Sequence, residues 1–388
     1  PRLSGNGATI NVGLSLNAAN TALHGLALVG FTGANNNDDN GAVRLQSSAQ
    51  TLSQNVLGTT ASSFADPGSA ATSSANLLIN GASGAVVINN LIGYASGSGI
   101  RMNENVSSAL NISGNEILNH GQDNLRIRGT GLTVSGNRIA GARLGFGIDM
   151  FSSTGAASIL NNTISNNAAG STGTSSRRGG IRLTASGNEV RRNIIRDNTG
   201  SGILASFATD FRTQNSIISQ NAISGNTFLG IDLIEAPEAA LSATKQQRGE
   251  ARVVTLNADG RTAASGANAL VSFPGLEAAP RLGSNLVVQG FAPAGATVEL
   301  FLAAPAAANA NSSGSIDTRN FGQGHTFLFA ATEGSTQDTE TGTGDYGGLL
   351  NGFSQGTATG ASRFSFSVPL ASLPGGGAGL AAGSTLLT

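Results

Sequence analysis

Cysteine and tryptophan are absent from this chain, and tyrosine and methionine occur twice each. Without cysteine there is no disulfide frame and no thiolate chemistry, and the redox compartment leaves no mark on the sequence. Charge is scarce too: 21 basic and 22 acidic residues make up 11% of the 388 positions and leave a formal net charge of -1. A nucleic-acid partner needs a basic surface to neutralise phosphates and rings to stack on bases, and aromatics here are only 5%. Apolar runs all fall short of the about 18 residues that a membrane-spanning helix takes. The first residue is Pro1, with no initiator Met and no signal-like segment, which is the expectation for a processed form or a fragment.

What the chain has in quantity is glycine, 55 residues, and asparagine at recurring places. The pattern Asn, any residue, branched aliphatic begins at Asn55, Asn90, Asn115, Asn137, Asn162, Asn193 and Asn221, in steps of 35, 25, 22, 25, 31 and 28. Those steps are close to one coil of a solenoid with insertions. Small polar stretches, Thr59 to Ala75 and Ser171 to Gly180, account for the two longest. A second series interleaves with the first: Gly99-Ile100, Asn124-Leu125, Gly147-Ile148, Gly180-Ile181, Gly202-Ile203 and Gly230-Ile231. Apolar residues alternate in these strands, as in Leu125-Arg126-Ile127 and Ile181-Arg182-Leu183, so one side faces in and the other out. Val86-Val87-Ile88, Leu110-Asn111-Ile112 and Leu132-Thr133-Val134 indicate a third strand.

Short strands separated by Asn or Gly corners predict a parallel β-helix over 1–234, with roughly eight coils and a length of about 38 Å at about 4.8 Å per coil. Stacked Asn amides at the corners are expected to hydrogen-bond along the axis. After Leu233 the pattern stops. Residues 235–272 read as a cap and connector, with a short helix or cap over 235–250 and a strand from Val253 to Leu256, because an open coil end is a bare sheet edge. Ala8 to Leu14 is a further candidate strand at the other end. From 273 to 388, longer alternating strands at Asn285 to Phe291, Thr297 to Leu302, His325 to Ala330 and Arg363 to Val368 predict a small antiparallel β-sandwich. Two long polar loops, Ala303 to Gly322 and Thr332 to Ser362, separate them.

The repeat half resembles the right-handed parallel β-helices of the pectin-lyase-like superfamily. The second half resembles the immunoglobulin-like domain that follows such repeats in large exported bacterial surface proteins. That second likeness rests on Asn268 followed by Phe273-Pro274, on Gly295-Ala296-Thr297-Val298-Glu299-Leu300-Phe301, on Gly322-Gln323-Gly324-His325-Thr326-Phe327-Leu328 and on Arg363-Phe364-Ser365-Phe366. The resemblance implies an all-β, secreted or cell-surface protein with a structural or adhesive role and no catalytic assignment. In that group the last strand continues past the segment matching Ser384 to Thr388, so a sandwich lacking its final strand, open to β-augmentation, is a further expectation.

Enzymes also occur on this fold, so carboxylates have to be weighed singly. Asp149, Asp197, Asp210 and Asp232 lie in the repeat, but Asp149 and Asp232 are three coils apart, about 14 Å, beyond the range of a cooperating glycosidase pair. Asp38 and Asp39, in an Asn-rich loop, and the 332–347 loop with Glu333, Asp338, Glu340 and Asp345 match no calcium-binding spacing. His120 is a corner histidine with a structural expectation. The chain is therefore expected not to be an enzyme and to need no metal or cofactor. One row remains: Arg101, Arg126, Asp149, Arg182, Leu204 and Asp232 at the outward position of successive coils, with Arg128, Arg143, Arg177 and Arg178 nearby. Arg101, Arg126, Asp149 and Arg182 are the candidate glycan-binding residues, since guanidinium forks suit carboxylates and sulfates. The alternative is a row in which Asp149 merely bridges Arg126 and Arg182. Expected partners are further copies of the chain, in an oligomer or filament, or a surface polysaccharide. Nucleic acid and a membrane span are not expected.

Overall fold

The computed structural model describes all residues except 6–8, 34–39, 69–70, 72–73, 104–106, 152–154, 172–177, 207–212, 235–254, 305–322, 341, 345–348, 351–352 and 382–386. The chain is all-β: a right-handed parallel β-helix followed by a small antiparallel β unit. Three parallel sheets run the length of the rod, two of nine strands and one of eight. Eight intervals at about 4.8 Å give about 38 Å.

Each sheet contributes one column of aliphatic side chains to the interior. In the first sheet Leu28, Leu57, Ile92, Ile117, Ile139, Ile164, Ile195 and Ile223 are in register, each flanked by outward residues. The second sheet supplies Val43, Leu77, Ile100, Leu125, Ile148, Ile181 and Ile203. The third adds Leu52, Val87, Ile112, Val134, Ile159, Val190 and Ile218. These columns merge into one apolar cluster, where each fully buried aliphatic contributes about 1.5–3 kcal/mol before chain entropy is subtracted.

Corners are made by residues in the left-handed region. Every Asn of the first series follows one: Gln54, Asn89, Gly114, Gly136, Asn161, Arg192 and Gln220 have φ between 54° and 64°. The turned backbone aims the next side chain inward, and the series becomes a buried amide ladder. From Asn90 to Asn221 each Oδ1 accepts from the backbone N–H and the Nδ2 of the preceding rung at 2.9–3.0 Å, and the Oδ1 of the first rung, Asn55, accepts from Leu26 N–H. Each Nδ2 also donates to a carbonyl of the preceding coil, as Asn137 does to Ile112 at 2.9 Å. Buried polar groups are thereby satisfied by copies of themselves. The Thr59 to Ala75 insertion lays Phe64 against Gly93, its ring 5.4 Å from that of Tyr94.

The first strand is Arg2–Ser4, which begins the first sheet beside Ala27–Val29, and the second spans Val12–Leu16, later than the Ala8 to Leu14 expectation. The cap expected over 235–250 lies outside the described residues. Of the strand expected from Val253 to Leu256, Val253 and Val254 lie outside them too, and Thr255 and Leu256 are not in a strand. Beyond it, Gly275–Ala278, Asn285–Pro293, Ala361–Pro369 and Thr343–Gly344 form one antiparallel sheet, and Thr297–Ala304 pairs with Gln323–Thr332 in another. Their facing sides bury Leu286, Val288, Val298, Leu300, Leu328, Phe364 and Phe366. Leu387 bridges Leu302, and Thr388 exchanges backbone hydrogen bonds with Phe301, so the last two residues lie along the free edge of Thr297–Ala304.

Candidate binding face

The row read from the sequence exists in register. Along the outward side of the second sheet run Arg44, Leu78, Arg101, Arg126, Asp149, Arg182, Leu204 and Asp232. Its surroundings differ from a simple exposed stripe. Asp149 and Asp232 are buried, and so is Leu204. Arg182 Nε donates to Asp149 Oδ1 at 2.6 Å, and Ser201 Oγ donates to Asp232 Oδ2 at 3.2 Å. Phe146, Leu204 and Ile234 form a small apolar cluster on this outer side, with the Arg182 guanidinium 5.6 Å from the Phe146 ring. The half of the row toward the C-terminal unit is thus a packed outer layer. Alternation along a strand tells inside from outside, but not whether the outside is covered.

The half carrying Arg101 and Arg126 is partly exposed. Arg126 and Arg128 project from the same side of strand Leu125–Ile127 and its continuation, and both guanidinium groups stack on Phe151, at 4.4 and 5.3 Å from the ring centroid. Arg143 is exposed; Arg178 is buried, 4.9 Å from the Phe228 ring, and Arg177 lies outside the described residues. Sequence reading named Arg128 only as a neighbour and missed Phe151, whose partnership depends on the strand pairing that sets Ile127 beside Met150.

The remaining candidate carboxylates do other work or fall outside the description. Asp197 pairs with Arg196 at 2.7 Å on the surface, and Asp38, Asp39, Asp210 and Asp345 lie outside the described residues. Asp338 accepts from the backbone of Gly334, Glu340 and Ser365, and Glu333 from Gly295, so these two acids hold turns. Asp149 and Asp232 stand three strand intervals apart, through Arg182 and Leu204. Among the described residues no three His, Asp or Glu side chains converge as a metal site would require, and no helix is long and apolar enough to cross a membrane.

His120 is an interior residue. It lies in a second corner column that also contains Ala95, Ala142, Asn167, Asn198 and Asn226, each preceded by a left-handed residue. Its Nδ1 is 2.6 Å from Asn124 Oδ1, and its Nε2 is 3.3 Å from Asn76 Nδ2, which also donates to the Gly93 carbonyl. That arrangement makes Nδ1 the donor and Nε2 the acceptor. Burial disfavours the imidazolium and pushes its pKa down to about 4, against the opposing effect of the Asn124 hydrogen bond.

The same column explains the Gly-or-Asn alternation of the second series. A Cβ on Gly99 would meet His120, and one on Gly147, Gly180 or Gly202 would meet the Nδ2 of Asn167, Asn198 or Asn226 at 2.8–3.2 Å. Where the corner residue is Ala95 or Ala142, the strand carries Asn76 or Asn124 instead. One slot is filled either from the strand or from the corner.

The rod ends on borrowed rungs. Gln323 Oε1 accepts from Asn226 N–H and Nδ2 at 3.1 and 3.0 Å, as the next Asn would. Gln323 Nε2 donates to the carbonyls of Asn226 and Phe228. At another corner Asn268 accepts from Ser216 N–H and returns a bond to its carbonyl. Glu299 accepts from Ser219 Oγ and Gln220 N–H. These three side chains, all from segments that carried the sequence resemblance, cap the last coil.

Comparison with known proteins agrees with the fold. A family model described as a right handed beta helix region matches residues 75–239. No curated protein matches the chain. Among solved structures, the Dettilon tailspike protein (gp208) is 14% identical, with 90% of this chain and 73% of that one covered and a TM-score of 0.31, too loose an overlap to transfer anything from it.

Proposed function

We propose that the chain is a non-catalytic structural or adhesive module of an exported bacterial surface protein, in which a stiff β-helical rod is held by a C-terminal unit of immunoglobulin-like type. The observation carrying this reading is the buried amide bonding along the axis: one ladder runs from Asn55 to Asn221 through successive coils, and a second, Asn167–Asn198–Asn226, is continued by Gln323 of the following unit. An interior built of repeated hydrogen bonds resists bending and supports a scaffolding role. Regular outward faces let weak contacts with neighbouring copies multiply, which favours self-association. Glycan cleavage is less well supported: Asp149 and Asp232 are buried, bonded to Arg182 and Ser201, and three intervals apart.

The test combines electron microscopy of purified material with incubation on a panel of neutral and acidic polysaccharides. Rods or ordered assemblies, with no new reducing ends or unsaturated products, are the expected result. Release of oligosaccharides overturns the non-catalytic reading. Labelling of intact source cells with a membrane-impermeant reagent tests export, and protection of the protein until lysis overturns it.

A further inference from the structure

We propose that the outer face of the third sheet is where a second copy of the chain packs, the two rods lying side by side and pointing the same way. This rests on the self-association part of the reading above and names the surface that carries it. The outward positions of the sheet form two columns, two residues apart on every strand and half-buried from Thr51 to Arg191. Between Thr51 and Leu160 neither column holds a charge. The two columns also match each other level by level: Val86 shares its strand with Ile88, Thr133 with Ser135, and Glu189 with Arg191.

A two-fold axis parallel to the rod sets each strand antiparallel to its own copy at the same level, so one column of the first molecule meets the other column of the second. Valine then meets isoleucine, and a threonine hydroxyl meets a serine hydroxyl that can both donate and accept. Glu189 meets Arg191 of the second copy. The two already form an ion pair at 3.0 Å within one molecule, and across the contact the four charges alternate in sign. One level, Ser158 with Leu160, is mixed. On the first sheet the same axis sets Glu116 against Leu118 and Arg138 against Ala140, each charge against hydrocarbon. Turning one rod end for end about the middle of the third sheet brings Glu189 over Thr51, with no countercharge. Eight strands make a strip about 34 Å long and about 10 Å wide. That is the size of a weak contact, so the dimer should form at about 0.1 mM in solution and more readily where copies are held together.

The experiment measures sedimentation of the full chain over a wide range of concentrations, together with crosslinking of single-cysteine variants by a short bis-maleimide, the chain having no cysteine of its own. A monomer–dimer equilibrium is expected. Thr133→Arg with Ser135→Arg puts like charges face to face and should weaken the dimer about tenfold or more. Thr163→Arg, at an outward position of the first sheet, should leave it unchanged. Thr51→Cys should crosslink to its own copy, because parallel rods bring the two to one level, whereas end-for-end rods hold them about 24 Å apart along the axis. Arg138→Cys, on the first sheet, should stay uncrosslinked. Should the arginine variant misfold, the two cysteine variants decide. A chain that is monomeric at every concentration overturns both this contact and the self-association reading. Dimers unaffected by the arginine variant, no crosslink at Thr51→Cys, or equal crosslinking at Arg138→Cys each overturn this contact alone.

Discussion

The rod and the C-terminal unit solve the same problem, burying a sheet face, with opposite attitudes to polar side chains. In the rod, Asn55, Asn90, Asn115, Asn137, Asn162, Asn193 and Asn221 are almost fully buried. In the C-terminal unit the described core consists of Leu, Val, Ala and Phe, with Phe364 and Phe366 stacked at 4.7 Å, and Gln323, its buried amide, reaches out to the rod. The difference follows from symmetry. A buried amide needs donors and acceptors at fixed places, and a repeating coil supplies them from its own copies. A sandwich of unlike strands has no such neighbour, and its other described amides, Asn285, Gln289, Gln337 and Gln355, are exposed or half-buried.

The sharpest way to break this contrast is to remove a rung. Asn137→Ala strips the acceptor used by the N–H and Nδ2 of Asn115 and leaves buried groups unpaired, so the rod should lose about 3–4 kcal/mol in denaturant unfolding. Gln289→Ala, an exposed amide of the sandwich 3.5 Å from Ser365 Oγ, should cost under about 0.5 kcal/mol. Equal losses would falsify the distinction.

Acid offers the next largest effect. His120 has a folded pKa of about 4, below its ordinary 6.5, so the unfolded chain takes up the proton first. Stability from this residue is complete above about pH 6.5, falls as the pH drops toward 4, and is then about 3 kcal/mol lower. His120→Asn, the residue that Asn167 and Asn198 place in the same column, should flatten that part of the stability curve. An unchanged slope in the variant shows that other groups carry the acid response.

Where the two regions meet, Gln323→Ala should cost about 2–3 kcal/mol locally. Amide exchange should accelerate at Asn226 and Phe228 while Asn115 stays protected, and uniform acceleration would mean that the rod opens only as a whole. The smallest predicted effect concerns the shared slot. Gly147→Asn and Asn167→Ala should each destabilise, yet the double variant should recover about 1–2 kcal/mol of their sum. Strict additivity would show that slot filling from strand or corner is not interchangeable.

These comparisons also show what the sequence made legible. The first ladder was visible because its Asn residues recur without interruption, each two places before an aliphatic. The second was not, because Ala95, His120 and Ala142 interrupt it and their compensation sits on the strand at Asn76 and Asn124. The four main sandwich strands were readable from alternation, whereas the caps Asn268, Glu299 and Gln323 were not, being ordinary polar residues whose role depends on contacts 52 to 97 positions away. The arginine row was found by register alone. Its division into a packed half and a half gathered around Phe151 depends on what lies over the sheet, which periodicity does not encode.

Because the closing glutamine copies an ordinary rung, it makes no distinction between the turn it closes and any later one. Duplicating an interior turn would leave both extremities chemically unchanged, so the reach of this molecule can evolve by copying alone, without redesign of its terminus.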